Sequence, residues 1–523
     1  MPEEAGVDDT RERTDLHQAT SGPCSTRHGR SAGPASLSAQ VVETNCAVVL
    51  LFGERAYKIK KPVNLGFLDF RSRPERARVC RREVELNRRL SPDVYLGVAD
   101  VQDPAGEVCE HIVVMRRMPA ELRLSTLVSE DAPVEHHLRM LARLIAAFHS
   151  AAPTRPEIVA EGGVAALRRR WTANLSETQR FRGHDLPPEL HAEIGHLAGR
   201  YLDGRSDLFR ERAAAGLIRD GHGDLLSDDI YCLPDGPRVL DCLEFDDRLR
   251  WVDVLDDAAF LAADLERLGR PDLGRLFLDQ WARFIGYPRV PSLEHHYVAY
   301  RAFVRAKVAL LRGEQGDQSG PPAAKDLAVI ALRHLQAAAV TMVLVGGAPG
   351  TGKTTLAAGL AEQLGWVVLS TDEIWRELAS THPQDPYSPE AKRSTYAELL
   401  RRARVALSRG ESVIADATWT SGEERGHARD VALASRSDLV ELWCRLPIGI
   451  AAERAEQRLQ TGTSRSDAGR HVAMRLASQA DPWPEAIPID TLRSPEDAVT
   501  VALSATHQHA SARRLRRDAE ALR

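Results

Sequence analysis

The stretch Gly347-Ala348-Pro349-Gly350-Thr351-Gly352-Lys353-Thr354 fits the spacing G-x-x-x-x-G-K-[ST], and its flanks are the ones that spacing needs. Thr341 to Val345 before it is a short apolar run suited to a buried strand. Thr355 to Leu364 after it is patterned as a helix, with Leu356, Ala357, Leu360 and Leu364 on one face. Glycines let the backbone curl so that successive N–H groups aim at one anion, and the helix N-terminus adds a favourable dipole. Lys353 then reaches the β/γ-phosphates of a nucleotide, and the Thr354 hydroxyl is placed to hold Mg²⁺. The loop from Gly347 to Thr355 is therefore the candidate ATP-phosphate site of the C-terminal third.

Around this loop the chain alternates strand and helix from 339 to about 506. Trp366 to Ser370 is the next strand, with Asp372 just past its end. Ser412 to Ala415 follows, ending in Asp416, then Asp438 to Cys444, and finally Ile487 to Ile489. That order implies a parallel sheet whose ligand crevice lies at the carboxyl ends of the strands. Asp416 there suits a Mg²⁺-holding role. Asp372 is placed either to accept a proton from a substrate hydroxyl or to cap the helix that starts beside it.

The whole chain is 523 residues with a formal net charge of -5, 43% hydrophobic and 27% charged residues, the profile of a globular protein of several domains. The charge gives no general attraction to nucleic acid or to an anionic membrane, and no apolar run approaches a spanning helix. The seven cysteines are scattered without C-x-x-C spacing, which predicts reduced thiols and a cytoplasmic protein. Residues 1–38, rich in Ser, Gly, Pro and charge, are expected to be a disordered tail, and 507–523 a basic C-terminal tail.

Upstream, Cys46 to Phe52 and Ala56 to Lys60 form a predicted hairpin, and period two puts Lys58 and Lys60 on one face. A helix from Pro74 to Leu90 carries Glu83. Two strands, Val94 to Val101 and Glu107 to Met115, complete a β-rich part ending at 115–119, and a helical part follows to 338. Within it the loop Gly221-His222-Gly223-Asp224-Leu225-Leu226-Ser227-Asp228-Asp229 leads into a hairpin, whose second strand, Arg238 to Phe245, is expected to carry Asp241. Transfer of a phosphoryl group to a hydroxyl has use for such a pair of aspartates, one taking the proton and one holding the metal. Residues 311–326, rich in Gly, Pro, Gln and Ser, read as the boundary between the two halves.

The segment 219–257 resembles the catalytic core of the aminoglycoside phosphotransferase family, in the branch fused to a C-terminal P-loop domain; the likeness covers about 41–335. It implies a multidomain α+β and α/β chain: a protein-kinase-like N-lobe over 39–118, a helical C-lobe over 119–338, and a P-loop NTPase domain over 339–506. It further implies that Asp224 is the catalytic base, that Asp241 and Asp229 hold metal, that His222 supports the loop, and that Asp253 holds the fold. Lys58 or Lys60 becomes the ATP-phosphate lysine, with Glu83 as its ion partner and a lean towards Lys58. The family's usual Asn is Asp229 here, and no glycine-rich loop precedes Lys58. The C-terminal domain is similar to the small P-loop kinases typified by gluconate kinase, zeta toxin and polynucleotide 5′-kinase. That likeness makes the helices of 448–478 a lid, with Arg454 and Arg458 as phosphate clamps.

Together these imply an ATP- and Mg²⁺-dependent phosphotransferase with two nucleotide sites and a small hydroxylated acceptor. One alternative is a pseudokinase-type sensor fused to a regulatory P-loop ATPase. Another is a polynucleotide 5′-kinase, against which the acidic net charge and the lack of an aromatic-basic groove both argue. The sequence leaves the oligomeric state open.

Overall fold

A computed structural model describes residues 39–44, 46–64, 69–379, 388–461 and 469–507. The expected tail at 1–38, and all but the first residue of that at 507–523, lie outside them.

The N-terminal sheet is antiparallel, in the order β1 (Gln40–Glu43), β2 (Ala47–Phe52), β3 (Arg55–Lys60), β5 (Val108–Arg116), β4 (Tyr95–Gln102). β1 is an edge strand, which the sequence pattern did not mark as one. A single helix, α1 (Arg73–Asn87), crosses the sheet. Ser72 caps it by accepting from the Glu75 N–H at 3.3 Å, and Pro74 sits in its first turn, where no donor is lost. Val79, Cys80, Val84 and Leu86 on α1 are buried, so Glu83, between them in sequence, is carried inward too.

The helical lobe is built around a continuous apolar core through Leu138, Ile145, Leu255, Phe260, Phe277 and Phe303. Two small antiparallel ribbons lie in it: β6 (Ile218–Asp220) with β9 (Trp251–Asp253), and β7 (Ile230–Leu233) with β8 (Gly236–Val239). The expected strand from Arg238 to Phe245 therefore stops at Val239. Beyond it β7 offers no further partner, and Asp241 turns the chain with φ +62°. Asp253 is buried in a two-point ion pair with Arg212, Oδ2 at 2.5 Å and Oδ1 at 2.7 Å, a fold-holding contact.

The segment 311–326 is not a linker. Helices Pro291–Glu314 and Gly320–Ala337 run back to back and meet in a short turn. A Cβ on Gly320 would lie 2.4 Å from the Ala309 carbonyl, so the small residues there permit close packing of two helices.

The C-terminal sheet is wholly parallel, in the order β11 (Val367–Ser370), β12 (Val413–Asp416), β10 (Thr341–Gly346), β13 (Asp438–Arg445), β14 (Ile487–Asp490). Every residue of β10 is buried, which is why it reads as an unbroken apolar run. Each large side chain there contributes roughly 1.5–3 kcal/mol by leaving water. Helices cover both faces: Met342 and Leu344 pack on one side with Leu399 and Trp419, and Val343 and Val345 on the other with Leu356 and Leu360.

The helical lobe grips this sheet at the amino ends of its strands. Arg205, only 1% exposed, donates to the Ser435 carbonyl at 2.6 Å and to the Ser437 hydroxyl at 3.3 Å. Arg200 pairs with Asp438 at 2.7 Å, and the Ser292 hydroxyl donates to the Gly410 carbonyl at 2.7 Å. A Cβ on Gly204 would stand 2.3 Å from the Ser435 carbonyl, so the two surfaces meet backbone to backbone. The architecture is mixed α/β: an antiparallel sheet with one helix, a helical lobe, and a wholly parallel sheet covered by helices on both faces.

Candidate active sites

The first site lies between the N-terminal sheet and the helical lobe. β3 alternates so that Lys58 and Lys60 share a face, and both meet Glu83 of α1. Lys58 Nζ is 2.9 Å from Glu83 Oε1 and 2.5 Å from Asp241 Oδ1; Lys60 Nζ is 2.7 Å from Glu83 Oε2 and 2.5 Å from Glu244 Oε1. Burial alone would discharge such groups, but each is flanked by opposite charge. Lys58 and Lys60 are accordingly raised despite burial, the first by Asp241 and Glu83 and the second by Glu83. Glu83 is lowered against its burial by the two lysines. Glu244 was not singled out from sequence; it reads there as one more acidic residue in an Asp-rich run.

Asp241 occupies a left-handed conformation that a non-glycine residue adopts only when its surroundings hold it. Those surroundings are visible. The Asp241 N–H donates to the Tyr95 hydroxyl at 3.1 Å, the Cys242 N–H to Asn87 Oδ1 at 2.8 Å, and the Leu240 N–H to the Asp229 carbonyl at 2.9 Å. Burial raises the Asp241 carboxyl, but Lys58 and Lys60 outweigh it and hold the group below its usual range.

The His-Gly-Asp loop is braced from below by Asp257, a residue to which the sequence reading assigns no role. Its carboxylate accepts from the His222 N–H at 2.7 Å and the Gly223 N–H at 2.8 Å, and contacts His149 Nε2 at 3.0 Å. Trp281 Nε1 donates to His149 Nδ1 at 3.1 Å, so the His149 proton sits on Nε2 and points at Asp257. Burial opposes the charge, yet these donors keep Asp257 well below the carboxylate range. The only sequence signal for it is its position four residues after Asp253.

His222 is buried and pushed down to about 4 by that burial, so it is neutral. Its Nδ1 accepts from the Asp224 N–H at 3.4 Å, which leaves Nε2–H to donate to the Leu240 carbonyl at 3.1 Å. One imidazole thus ties the Asp224 loop to the strand end before Asp241. Gly223 needs its φ of +85° here, and a Cβ would meet the Arg250 side chain at 3.0 Å. Asp224 is pushed up to about 6 by burial, with Arg305 opposing and Asp241 adding to the rise. Asp229 is raised well above its usual value by burial and by Asp241 and Asp224. The three carboxylates are therefore close enough to act on one another, facing the cleft that Lys58 enters.

Above that cleft Val49, Leu51, Ala56 and Met115 form one apolar cluster with Tyr231 and Leu240 below it, and Met118 packs against the same cluster. The turn between β1 and β2 is short: the Thr44 N–H and hydroxyl both bond the Ala47 carbonyl, at 2.8 Å and 3.0 Å.

The second site is the carboxyl edge of the parallel sheet. Gly347, Gly350 and Gly352 all have positive φ. A Cβ on Gly350 would fall 1.9 Å from the Ala451 carbonyl, and one on Gly347 would fall 2.5 Å from the Thr351 hydroxyl. The loop is thus clasped between the strand β13 side and the helix Ile448–Gln460, and Thr351 closes it by donating to the Ala348 carbonyl at 2.8 Å. Helix Lys353–Leu364 starts straight from Gly352. A cleft of about 480 Å³ opens over it, lined by Gly350, Gly352, Thr355, Arg454, Gln457 and Arg458. Both expected lid arginines therefore face the loop.

Thr354 Oγ1 donates to Asp416 Oδ2 at 2.8 Å, while Asp416 Oδ1 is buried with no hydrogen-bond partner among the described residues. Burial raises Asp416, with Asp372 and Glu373 adding to the rise and Lys353 opposing it. A hydroxyl, a buried carboxylate oxygen in need of a partner and a nearby lysine fit a hydrated Mg²⁺ beside phosphate. Among the described residues no cluster of three or more His, Cys, Asp or Glu forms an all-protein metal cage, and Mg²⁺ shared with phosphates requires none. Asp372 lies in the first turn of the helix Thr371–Ala379, near enough to Asp416 to act on it, and its carbonyl accepts from Arg376.

Compared with known proteins, residues 342–483 match a family model described as an AAA domain. An uncharacterized protein of Mycobacterium tuberculosis, Rv2004c, is 42% identical over 468 residues, covering 88% of this chain and 93% of its own length. A cytidylate kinase of Methanopyrus kandleri is 28% identical over 155 residues, 28% of this chain and 77% of that protein. Among solved structures, a choline/ethanolamine kinase family protein from Mesorhizobium loti is similar over 59% of this chain and 94% of its own, at 15% identity and a TM-score of 0.36. Among the described residues no helix is long and apolar enough to cross a membrane.

Proposed function

We propose that this chain, which belongs to the same family as the Mycobacterium tuberculosis protein Rv2004c, is an ATP-dependent phosphotransferase with two nucleotide sites. The observation that carries the proposal is Lys58 held between Glu83 and Asp241 in the interlobe cleft, in a chain that also has a complete phosphate loop.

In the first site the apolar cluster of Val49, Ala56, Met115, Tyr231 and Leu240 suits an adenine, with the backbone of 115–119 at its edge. Lys58 would pair with the phosphates once Asp241 turns to the cation. Asp241 and Asp229 would hold Mg²⁺, which neutralises charge on the phosphates when bound. Asp224 accepts the proton of an acceptor hydroxyl. The hydroxyl oxygen then forms its bond to the γ-phosphorus as the bond to the β–γ bridging oxygen breaks, and ADP leaves. The acceptor is a small hydroxylated molecule.

In the second site Lys353 and the backbone N–H groups of the loop would bind the phosphates, Thr354 and Asp416 would hold Mg²⁺, and Arg454 and Arg458 would close on the transferring group. Asp372 serves as base. The similarity of this region to a cytidylate kinase supports a kinase over a simple ATPase. A second reading, nucleotide sensing without turnover in the first site, is favoured by the short β1–β2 turn and by Asp229 where the resembled family has Asn.

The test is ATP consumption and transfer of labelled phosphate by the full chain against a panel of sugars, aminoglycosides, nucleosides and a 5′-hydroxyl oligonucleotide. Lys353→Ala and Asp224→Ala are each expected to remove one part of the activity, and the double variant all of it. If Asp224→Ala alters neither turnover nor labelling, the first site is no enzyme.

A further inference from the structure

Five side chains in the interlobe cleft form a row of alternating charge: Asp241, Lys58, Glu83, Lys60, Glu244. The four links measure 2.5, 2.9, 2.7 and 2.5 Å. The row runs from solvent to interior. The Asp241 side chain is 46% exposed and that of Lys58 12%, whereas Lys60 is 1% and Glu244 9% exposed. The Phe70 ring, 5.7 Å from Lys60 Nζ, covers the inner end.

We propose that Lys60 is a positioning residue: with Glu244 it keeps Glu83 aimed at Lys58 and ties the 241–244 segment to the N-lobe, so the cleft stands assembled before nucleotide enters. This rests on the cleft being an ATP site.

The reasoning is one of charge accounting. A buried carboxylate is stable only with opposite charge against it, and breaking one side of a buried pair is strongly unfavourable. When Lys58 turns to phosphate and Asp241 to a cation, Glu83 shares its lysine with a new anion. Lys60 is then the cation that still neutralises Glu83. For Lys60 to reach phosphate itself, it would have to abandon two buried carboxylates at once. Glu244 completes the device: it lies three residues after Asp241, whose backbone is already fastened to Tyr95, with Cys242 fastened to Asn87. Lys60–Glu244 is a further tie across the same gap, between β3 and the segment that carries the cation-holding aspartate.

Binding of a non-hydrolysable ATP analogue and ATP turnover would be measured on the full chain carrying Lys353→Ala, which silences the second site. In that background Lys58→Met should weaken binding at least about tenfold. Lys60→Met should leave binding within about threefold while lowering kcat by about tenfold or more, and Lys60→Arg should recover part of kcat. The double variant Lys60→Met/Glu244→Gln, which removes one positive and one negative charge together, guards against a folding defect and should show the same split. Loss of binding in Lys60→Met as large as in Lys58→Met overturns the proposal, because Lys60 then touches nucleotide. Unchanged kcat in both Lys60 variants overturns it too. If the Lys353→Ala chain itself binds no nucleotide, the ATP-site reading fails instead, and its failure is distinguishable by that control.

Discussion

The Thr354 hydroxyl donates a hydrogen bond to Asp416 Oδ2, and the second oxygen of that carboxylate is buried without a partner among the described residues. An unfilled buried acceptor is costly, so the pair is arranged for something that arrives with the ligand. Asp416→Asn is expected to keep most nucleotide affinity while lowering Mg²⁺-dependent turnover at the phosphate loop roughly 100-fold or more, since metal stabilisation is worth several kcal/mol. Titrating activity against Mg²⁺ in an Asp224→Ala background isolates the effect. An unchanged Mg²⁺ curve would remove Asp416 from the metal.

Asp224 titrates near 6, lifted by burial, and a base must be ionised to act. Turnover at the first site should therefore fall by about tenfold between pH 7 and pH 5. The stability consequence has the opposite sign to an ordinary ion-paired aspartate. The folded group binds its proton more tightly than the unfolded one, so its contribution is fully present below about 4 and is lost as pH rises through about 6. Asp224→Asn should abolish turnover yet raise stability at pH 7, on the order of 1–2 kcal/mol. Phosphate-transfer assays with Mg²⁺ check the first half, and chemical denaturation at pH 5 and pH 7 without metal checks the second.

Gly350→Ala places a methyl group where the Ala451 carbonyl already is, at a φ of +88°. The main chain has to give, and helix Ile448–Gln460 moves with Arg454 and Arg458. A loss of about 1–3 kcal/mol in stability, with weaker nucleotide binding at the second site, is expected. Thermal unfolding with and without an ATP analogue measures it. A variant with the parent's melting temperature and affinity would show that the helix is not seated as described.

Much of the architecture was legible because some positions admit few residues. The phosphate loop needs glycine at its left-handed corners, and β10 needs an unbroken apolar run, so both stood out in the linear pattern. Lys58, Lys60 and Glu83 fell into place through strand alternation and the resemblance. Asp241 reads as part of a strand because Arg238 to Phe245 is a mostly apolar run that follows the Pro234-Asp235-Gly236 turn. What ends β8 is the four-residue length of β7, a tertiary fact. The Gly/Pro-rich stretch at 311–326 read as a linker, since composition does not reveal whether glycine serves flexibility or close approach. Glu244 and Asp257 were missed for a shared reason: their roles are to meet groups distant in sequence, Lys60 across 184 residues and the His222 N–H across 35.

Arg205 and its neighbours fasten one body to the blunt end of the other's sheet, leaving the phosphate-loop rim on the far side. The Arg205 guanidinium at that joint is out of water, so parting the two bodies would require it to be rehydrated and its carbonyl and hydroxyl acceptors on the other side to be given up together.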